Sequence, residues 1–389
     1  MPSLFNDSPE YIRRTRTPFK PTEVTLSDVR AIMPKDLFEK STLRGMLVVI
    51  RDVACALLLF ELAGRIDSFV QNALSWGLRA STAYALQFVL WLAYWFFQSI
   101  VFAGCWVLAH EAGHAPYYAW RTTHQNHHKG TGSLERDENY VPRTRSYYLL
   151  PPESKAQISN YHEIFEETPI YTLLRIVLMQ TIGWQYYLLT NIMGNPSYPK
   201  GTNHFQPSAL LFKPYQRAKI IASNVGLTVM VVLLAIWGNR VGSWNFFRLY
   251  FIPYILTNHW IVMITYLQHS DPTIPHYRNK EWTFLRGAVS TVDRPLLGWM
   301  GRFFLHNVSH DHIAHHAFST IPFYNLPYAT EIIKNVLGDD YNYDSTNSFR
   351  ALYRTFSQCC FIEDEGDIVF YKNKDGKAVR ILESDVRGD

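Results

Sequence analysis

Four cysteines in 389 residues, two of them adjacent, leave no basis for a disulfide-built scaffold. Cys55 and Cys105 lie in apolar segments, and Cys359 and Cys360 do not form a thiolate metal spacing. There is no internal repeat and no low-complexity tract. A net charge of +4 with pI ≈ 8.7 is too mild for a nucleic-acid footprint, though it suits a protein facing anionic lipid on one side. The opening stretch, MPSLFNDSPEYIRRTRTPFKP, lacks an apolar core. No cleavable signal peptide is therefore expected, and membrane insertion must rest on internal segments.

What the chain has in quantity is apolar and aromatic surface. Hydrophobic residues make up 48%, with Trp 11, Tyr 24 and Phe 24, yet the mean hydropathy is only −0.11. That mixture fits a few membrane spans under a sizeable water-facing cap. The run Tyr84–Leu108, YALQFVLWLAYWFFQSIVFAGCWVL, carries no charge and is long enough to cross a bilayer core of ~30 Å. Further spans are expected near 47–63, 220–237 and 246–267. The first of these carries Arg51, Asp52 and Glu61. The segment 170–192 is apolar but interrupted by Arg175, Gln180 and Gln185, which suits a helix lying in the interface. Residues 1–43 read as a polar N-terminal segment with one short helix at Leu26–Ile32 before Pro34, and 351–389 as a tail with a terminal hairpin.

Two spans carry the chain across and back, and two more repeat the excursion. Both termini and everything after residue 267 then share one side. Arg13, Arg14, Arg16 and Lys20 before the first span, and Lys213, Arg217 and Lys219 before the third, favour the cytosol for that side.

Three histidine clusters would be delivered there: HEAGH (His110, His114), HQNHH (His124, His127, His128) and HIAHH (His312, His315, His316). They hold eight of the fifteen histidines, and spacings of i, i+3 and i+4 put each group on one helix face. Neutral imidazole is a common metal ligand, and eight exceed what one ion accepts. Without thiolates nearby, the donor set fits iron, copper, nickel or zinc. HEAGH also meets the zinc-protease pattern with Glu111 as base, but that accounts for only two of the eight.

The three boxes, their order and their surroundings resemble the membrane-bound fatty acid desaturases, of the fungal oleate Δ12 type. The likeness extends through GTGSLERDENYVP, YPKGTNHFQPSALLF, NHWIVMITYLQHSDPTIPHY, TVDRPLLGWMGRFFLHNVSHDHIAHHAFSTIPFYN and YNYDSTNSFRALYRTFSQC. It implies an all-α integral membrane protein of about four transmembrane helices, with a desaturase domain over 44–350. A cytosolic helical cap would hold two irons on His110, His114, His124, His127, His128, His312, His315 and His316. A ninth ligand in related sites follows the fourth span, and here the matching residue is His269 in LQHSD. No catalytic residue beyond the metal ligands is expected. His306 and His310 are expected to be structural. Asp311 would orient an imidazole of the third box, and Glu135 or Asp137 one of the second.

The implied reaction is conversion of lipid-bound oleoyl to linoleoyl chains with O₂, in the endoplasmic reticulum membrane. The two electrons would come from cytochrome b5 and its NADH-dependent reductase. No HPGG motif occurs, so the cytochrome is a separate partner. Sister enzymes of the same fold are acetylenases, conjugases and hydroxylases. One departure stands out. Only nine residues, APYYAWRTT, separate His114 from His124, where the family carries a longer connection with an apolar segment that dips into the membrane. This shortening puts the spacing of the first two boxes, and hence activity, in question.

Overall fold

The computed structural model describes residues 4–111 and 118–386 and is mostly helical. Its centre is the helix Ile252–His269, with Ile261, Val262, Met263, Ile264 and Leu267 all buried. The helix can be apolar on every side because it lies between Ala80–Glu111 and Pro169–Thr190. Thr42–Gly64 and Ile66–Ser75 pack against Ala80–Glu111. Arg217–Val241 packs mainly against the short helices Tyr118–Gly130 and Ser243–Phe246, and leaves Val225, Val231 and Leu233 exposed.

Among the described residues, two helices are long and apolar enough to cross a membrane: Ala80–His110, and Pro214–Val241 counted with its leading turn. The other two expected spans do form helices but fall short of that measure. Thr42–Gly64 carries Arg51, Asp52 and Glu61, and Ile252–His269 carries Asn258, His259, Gln268 and His269. Two acidic groups of Thr42–Gly64 have basic partners, one buried and one at the surface. Asp52 is buried, with Arg51 Nη2 at 2.7 Å and His306 Nε2 at 2.9 Å. Glu61 pairs with Arg65 one turn on. Leu47, Ile50 and Leu57 on this helix, and Ile170, Leu173 and Val177 on Pro169–Thr190, remain exposed. Apolar surface on that scale is what a lipid-facing protein presents.

Beyond His269 the chain forms a cap of short helices. Its core joins Leu285, Ile313, Leu326 and Ile333 to Val29 of the N-terminal segment. The expected helix Leu26–Ile32 is present and docks on Leu326–Leu337. Thr25 caps it reciprocally with Asp28. A second N-terminal helix, Pro9–Arg16, was not expected, although Ser8 followed by Pro9 is a start signal, and Ser8 Oγ accepts from the Tyr11 N–H. The tail forms antiparallel bridges, Phe361 with Lys372 and Lys372 with Ala378. Its strand β2 (Ile368–Val369) does not complete a hairpin but pairs with β1 (His276–Tyr277) of the cap.

A buried ion network ties these pieces together. Arg294 reaches Asp271 at 2.7 Å and Asp344 at 2.5 Å, and Arg354 reaches the same two carboxylates at 3.3 and 2.5 Å. Arg354 also meets Asp7 at 2.7 Å, so the N-terminus, the segment after His269 and the last cap helix share one polar core.

Candidate metal centre

Four separate segments deliver histidines to one place. Ala80–Glu111 brings His110 in its last turn, and Tyr118–Gly130 brings His124, His127 and His128. Ile252–His269 ends on His269, and His312–Ala317 brings His312, His315 and His316. His114 lies outside the described residues. The nitrogen donors fall into two groups, His110, His124, His128 and His315 in one and His127, His269 and His316 in the other, each within 4.8 Å. His312 Nε2 joins the second group, 2.9 Å from His269 Nε2. The His110 and His124 rings lie 4.3 Å from centre to centre.

Protons can be placed on three of the rings. His127 Nδ1 donates to Asp137 Oδ1 (2.6 Å) and His312 Nδ1 to the Val308 carbonyl (3.0 Å). The Thr131 hydroxyl gives its hydrogen to the His127 carbonyl (2.6 Å), so it can only accept from His316 Nδ1 (3.0 Å). Each of these rings therefore presents a lone pair at Nε2. The Nε2 atoms of His127 and His312 both face His269 Nε2, at 3.3 and 2.9 Å, which has at most one proton to share. His316 Nε2 is buried with no hydrogen-bond partner among the described residues. Converging lone pairs without protons between them are costly unless a cation takes them. Burial, then repulsion by neighbouring imidazoles, pushes His124, His128, His269 and His316 well below the usual histidine range. Rings kept neutral are ready to ligate. An all-nitrogen donor set fits iron.

The surroundings lock the rings. Asp137 also accepts the N–H groups of Gly132 and Asn139, at 3.2 and 2.9 Å. It returns to His127 because the chain passes hard against Gly130, where a Cβ would sit 2.5 Å from the Arg136 carbonyl oxygen. Trp120 stacks on His124 at 4.4 Å and Tyr140 on His269 at 4.8 Å. Asp293 Oδ1 accepts the Ile313 N–H (2.8 Å), anchoring the start of the third-box helix. Next to His110, His124, His269 and His312 lies a narrow pocket walled by Trp106, Trp120, Trp184, Tyr187, Ile264 and Val308. It is apolar enough for an alkyl chain.

Of the expected orienting carboxylates, Asp137 takes the role and two others do not. Asp311 pairs instead with Arg302 at 2.9 Å, because its side chain points away from the cluster. Glu135 lies near Ser133 and Arg278, out of reach of the second box. His306 pairs with Asp52 and His310 stays outside both donor groups. Thr131 and the Val308 carbonyl were not foreseen. Thr131 stands four residues after His127, a spacing that could have suggested it. The Val308 carbonyl carries no side-chain signal.

The profile of the fatty acid desaturase family matches residues 89–347. A Δ12 fatty acid desaturase of Mortierella isabellina is 38% identical over 90% of this chain and 91% of its own length. Its Mortierella alpina counterpart is 37% identical over the same shares. An oleate hydroxylase of Claviceps purpurea is 35% identical over 92% of this chain and 82% of its own.

Proposed function

The chain belongs to the fatty acid desaturase family, and from that premise we propose that it inserts the Δ12 double bond of lipid-bound oleoyl chains, giving linoleoyl chains. One observation carries the reading: histidines from four distant segments meet beside a cavity of alkyl-chain character. The names of the Mortierella relatives, similar over nine tenths of this chain, supply the regiochemistry.

Iron, when bound, supplies the O₂-derived oxidising power that no side chain has. Two ions are proposed. His110, His124, His128 and His315, with His114, would serve one, and His127, His269, His312 and His316 the other. The chain's own residues do the rest. Asp137, Thr131 and the Val308 carbonyl hold ring protons on Nδ1, so that Nε2 faces the centre. Trp106, Trp120 and Trp184 exclude water and confine the alkyl chain, so that one carbon pair faces the histidines.

Four spans, an endoplasmic reticulum location and cytosolic termini form part of the same reading. The buried pairing of Asp52 with Arg51 and His306 supports a spanning role for Thr42–Gly64. Packing of Leu26–Ile32 on Leu326–Leu337 supports a shared side for the N-terminus and the cap. Cytochrome b5, reduced by its NADH-dependent partner, is the proposed electron donor.

The test is fatty acid profiling of yeast that makes no linoleate of its own and expresses this chain. Linoleate is expected. The likeness to the Claviceps hydroxylase makes a hydroxy acid the alternative outcome. Neither product would sink both readings.

A further inference from the structure

A buried chain of hydrogen bonds runs from the metal centre to the loop 201–206 and ends on a histidine that belongs to no box. His204 has no exposed surface, although the loop carrying it reaches solvent at Gly201 and Gln206. Its Nε2 lies 3.3 Å from Thr123 Oγ1 and 3.2 Å from Tyr187 Oη. The Thr123 hydroxyl donates to the Trp120 carbonyl (3.0 Å), and the Tyr187 hydroxyl donates to Asn139 Oδ1 (2.5 Å). Both oxygens therefore offer lone pairs, and the His204 proton sits on Nε2. Its Nδ1 is buried with no hydrogen-bond partner among the described residues. The nearby Leu188 carbonyl already accepts from the His204 backbone N–H at 2.9 Å. Burial pushes the His204 pKa down to about 4, so the resting ring is neutral and can accept a proton at Nδ1.

Tyr187 also lines the catalytic cavity, alongside His110 and His124. The other hydroxyl pair in that wall, Tyr140 with Thr265, leads nowhere, since Thr265 Oγ1 donates to the Ile261 carbonyl within its own helix (2.7 Å). Desaturation takes two hydrogens from a –CH₂–CH₂– unit and reduces one O₂ to two waters. Two electrons, from a one-electron carrier, and two protons must therefore come from outside the substrate.

Resting on the oxidative reading above, we propose that Tyr187 is the hydroxyl through which the two protons enter the cavity, with His204 resupplying it from the loop side. Tyr187 Oη turns from Asn139 and gives its proton to the oxygen being reduced. His204 Nε2–H replaces that proton and Nδ1 takes one from the loop side, after which a turn of the imidazole ring brings an N–H back to Tyr187 for the second transfer. Asn139 is only the resting acceptor, since an amide oxygen does not carry a proton onward.

The experiment compares wild type, Tyr187→Phe, His204→Ala and His204→Gln, purified with iron in lipid nanodiscs, for metal content, kcat, KM and solvent deuterium isotope effect. Tyr187→Phe should keep wild-type metal content and KM while kcat falls about 100-fold, the scale of a lost general acid. Its solvent isotope effect should rise as proton entry becomes limiting. His204→Gln can donate to Tyr187 but cannot shuttle a proton, so it should be as impaired as His204→Ala. Wild-type kcat in Tyr187→Phe, iron loss in that variant, or full activity in His204→Gln would each overturn the relay. Hydroxylation also consumes two external protons, so the relay can be read whichever product forms. The product of the wild-type chain judges the desaturase reading separately.

Discussion

His127 Nδ1 and Asp137 Oδ1 lie 2.6 Å apart, and both residues are buried. The carboxylate fixes which ring nitrogen carries the proton and so which faces the metal group. Asp137→Asn keeps the shape but removes the charge. Iron affinity should fall ~10–100-fold, as for other outer contacts of metal ligands. A competitive chelator titration reads this directly, and unchanged affinity would remove Asp137 from the site.

Gly130 makes that contact possible by letting the chain turn tightly against it. Gly130→Ala should displace the segment carrying Asp137 and lower iron content, because its Cβ would sit 2.5 Å from the Arg136 carbonyl oxygen. Gly45→Ala is the control, since nothing lies within 4 Å of its Cβ and alanine favours the helix there. Metal analysis of both variants at equal purity decides the matter.

Arg294 serves two buried carboxylates, Asp271 and Asp344, and all three side chains are 2% exposed or less. Arg294→Met should destabilise the fold by about 3 kcal/mol, since a buried charge loses a partner. Adding Asp344→Asn should recover part of that loss in a double-mutant cycle. Thermal unfolding in detergent measures both.

Acid should weaken the fold. Burial pushes His204 and His276 down to about 4 in the folded chain, against ~6.5 in an unfolded one. The unfolded state then binds protons first. Stability from these residues is fully present above pH ~6.5 and is lost as pH falls toward 4. The melting temperature should fall between pH 7 and 5, and His276→Gln, with no proton to gain, should flatten the slope. A slope unchanged by that variant would contradict the assignment.

Much of the site was legible in the residues themselves. Imidazoles at i, i+3 and i+4 share a helix face whatever surrounds them, so each box declares itself locally. An uncharged run such as Tyr84–Leu108 does the same for a span, because bilayer thickness acts residue by residue. LQHSD pointed to His269 only through resemblance, and the structure brings that ring against both His127 and His312.

Other features depend on partners distant in the chain. Asp311 and Asp137 look equally suitable as orienting carboxylates, yet Arg302 claims one and His127 the other. Asp52 looks like an obstacle to a span until His306, far along the chain, is found beside it. Nothing near His204 in sequence suggests a link to the cavity, because Thr123, Asn139 and Tyr187 come from three other segments. By itself the sequence determined the candidate imidazole donors, their grouping into boxes and the main apolar helices, all consequences of local spacing and composition. Only the tertiary structure decided which carboxylate meets which ring and where each ring proton sits, because hydrogen bonds form between groups that folding brings within about 3 Å.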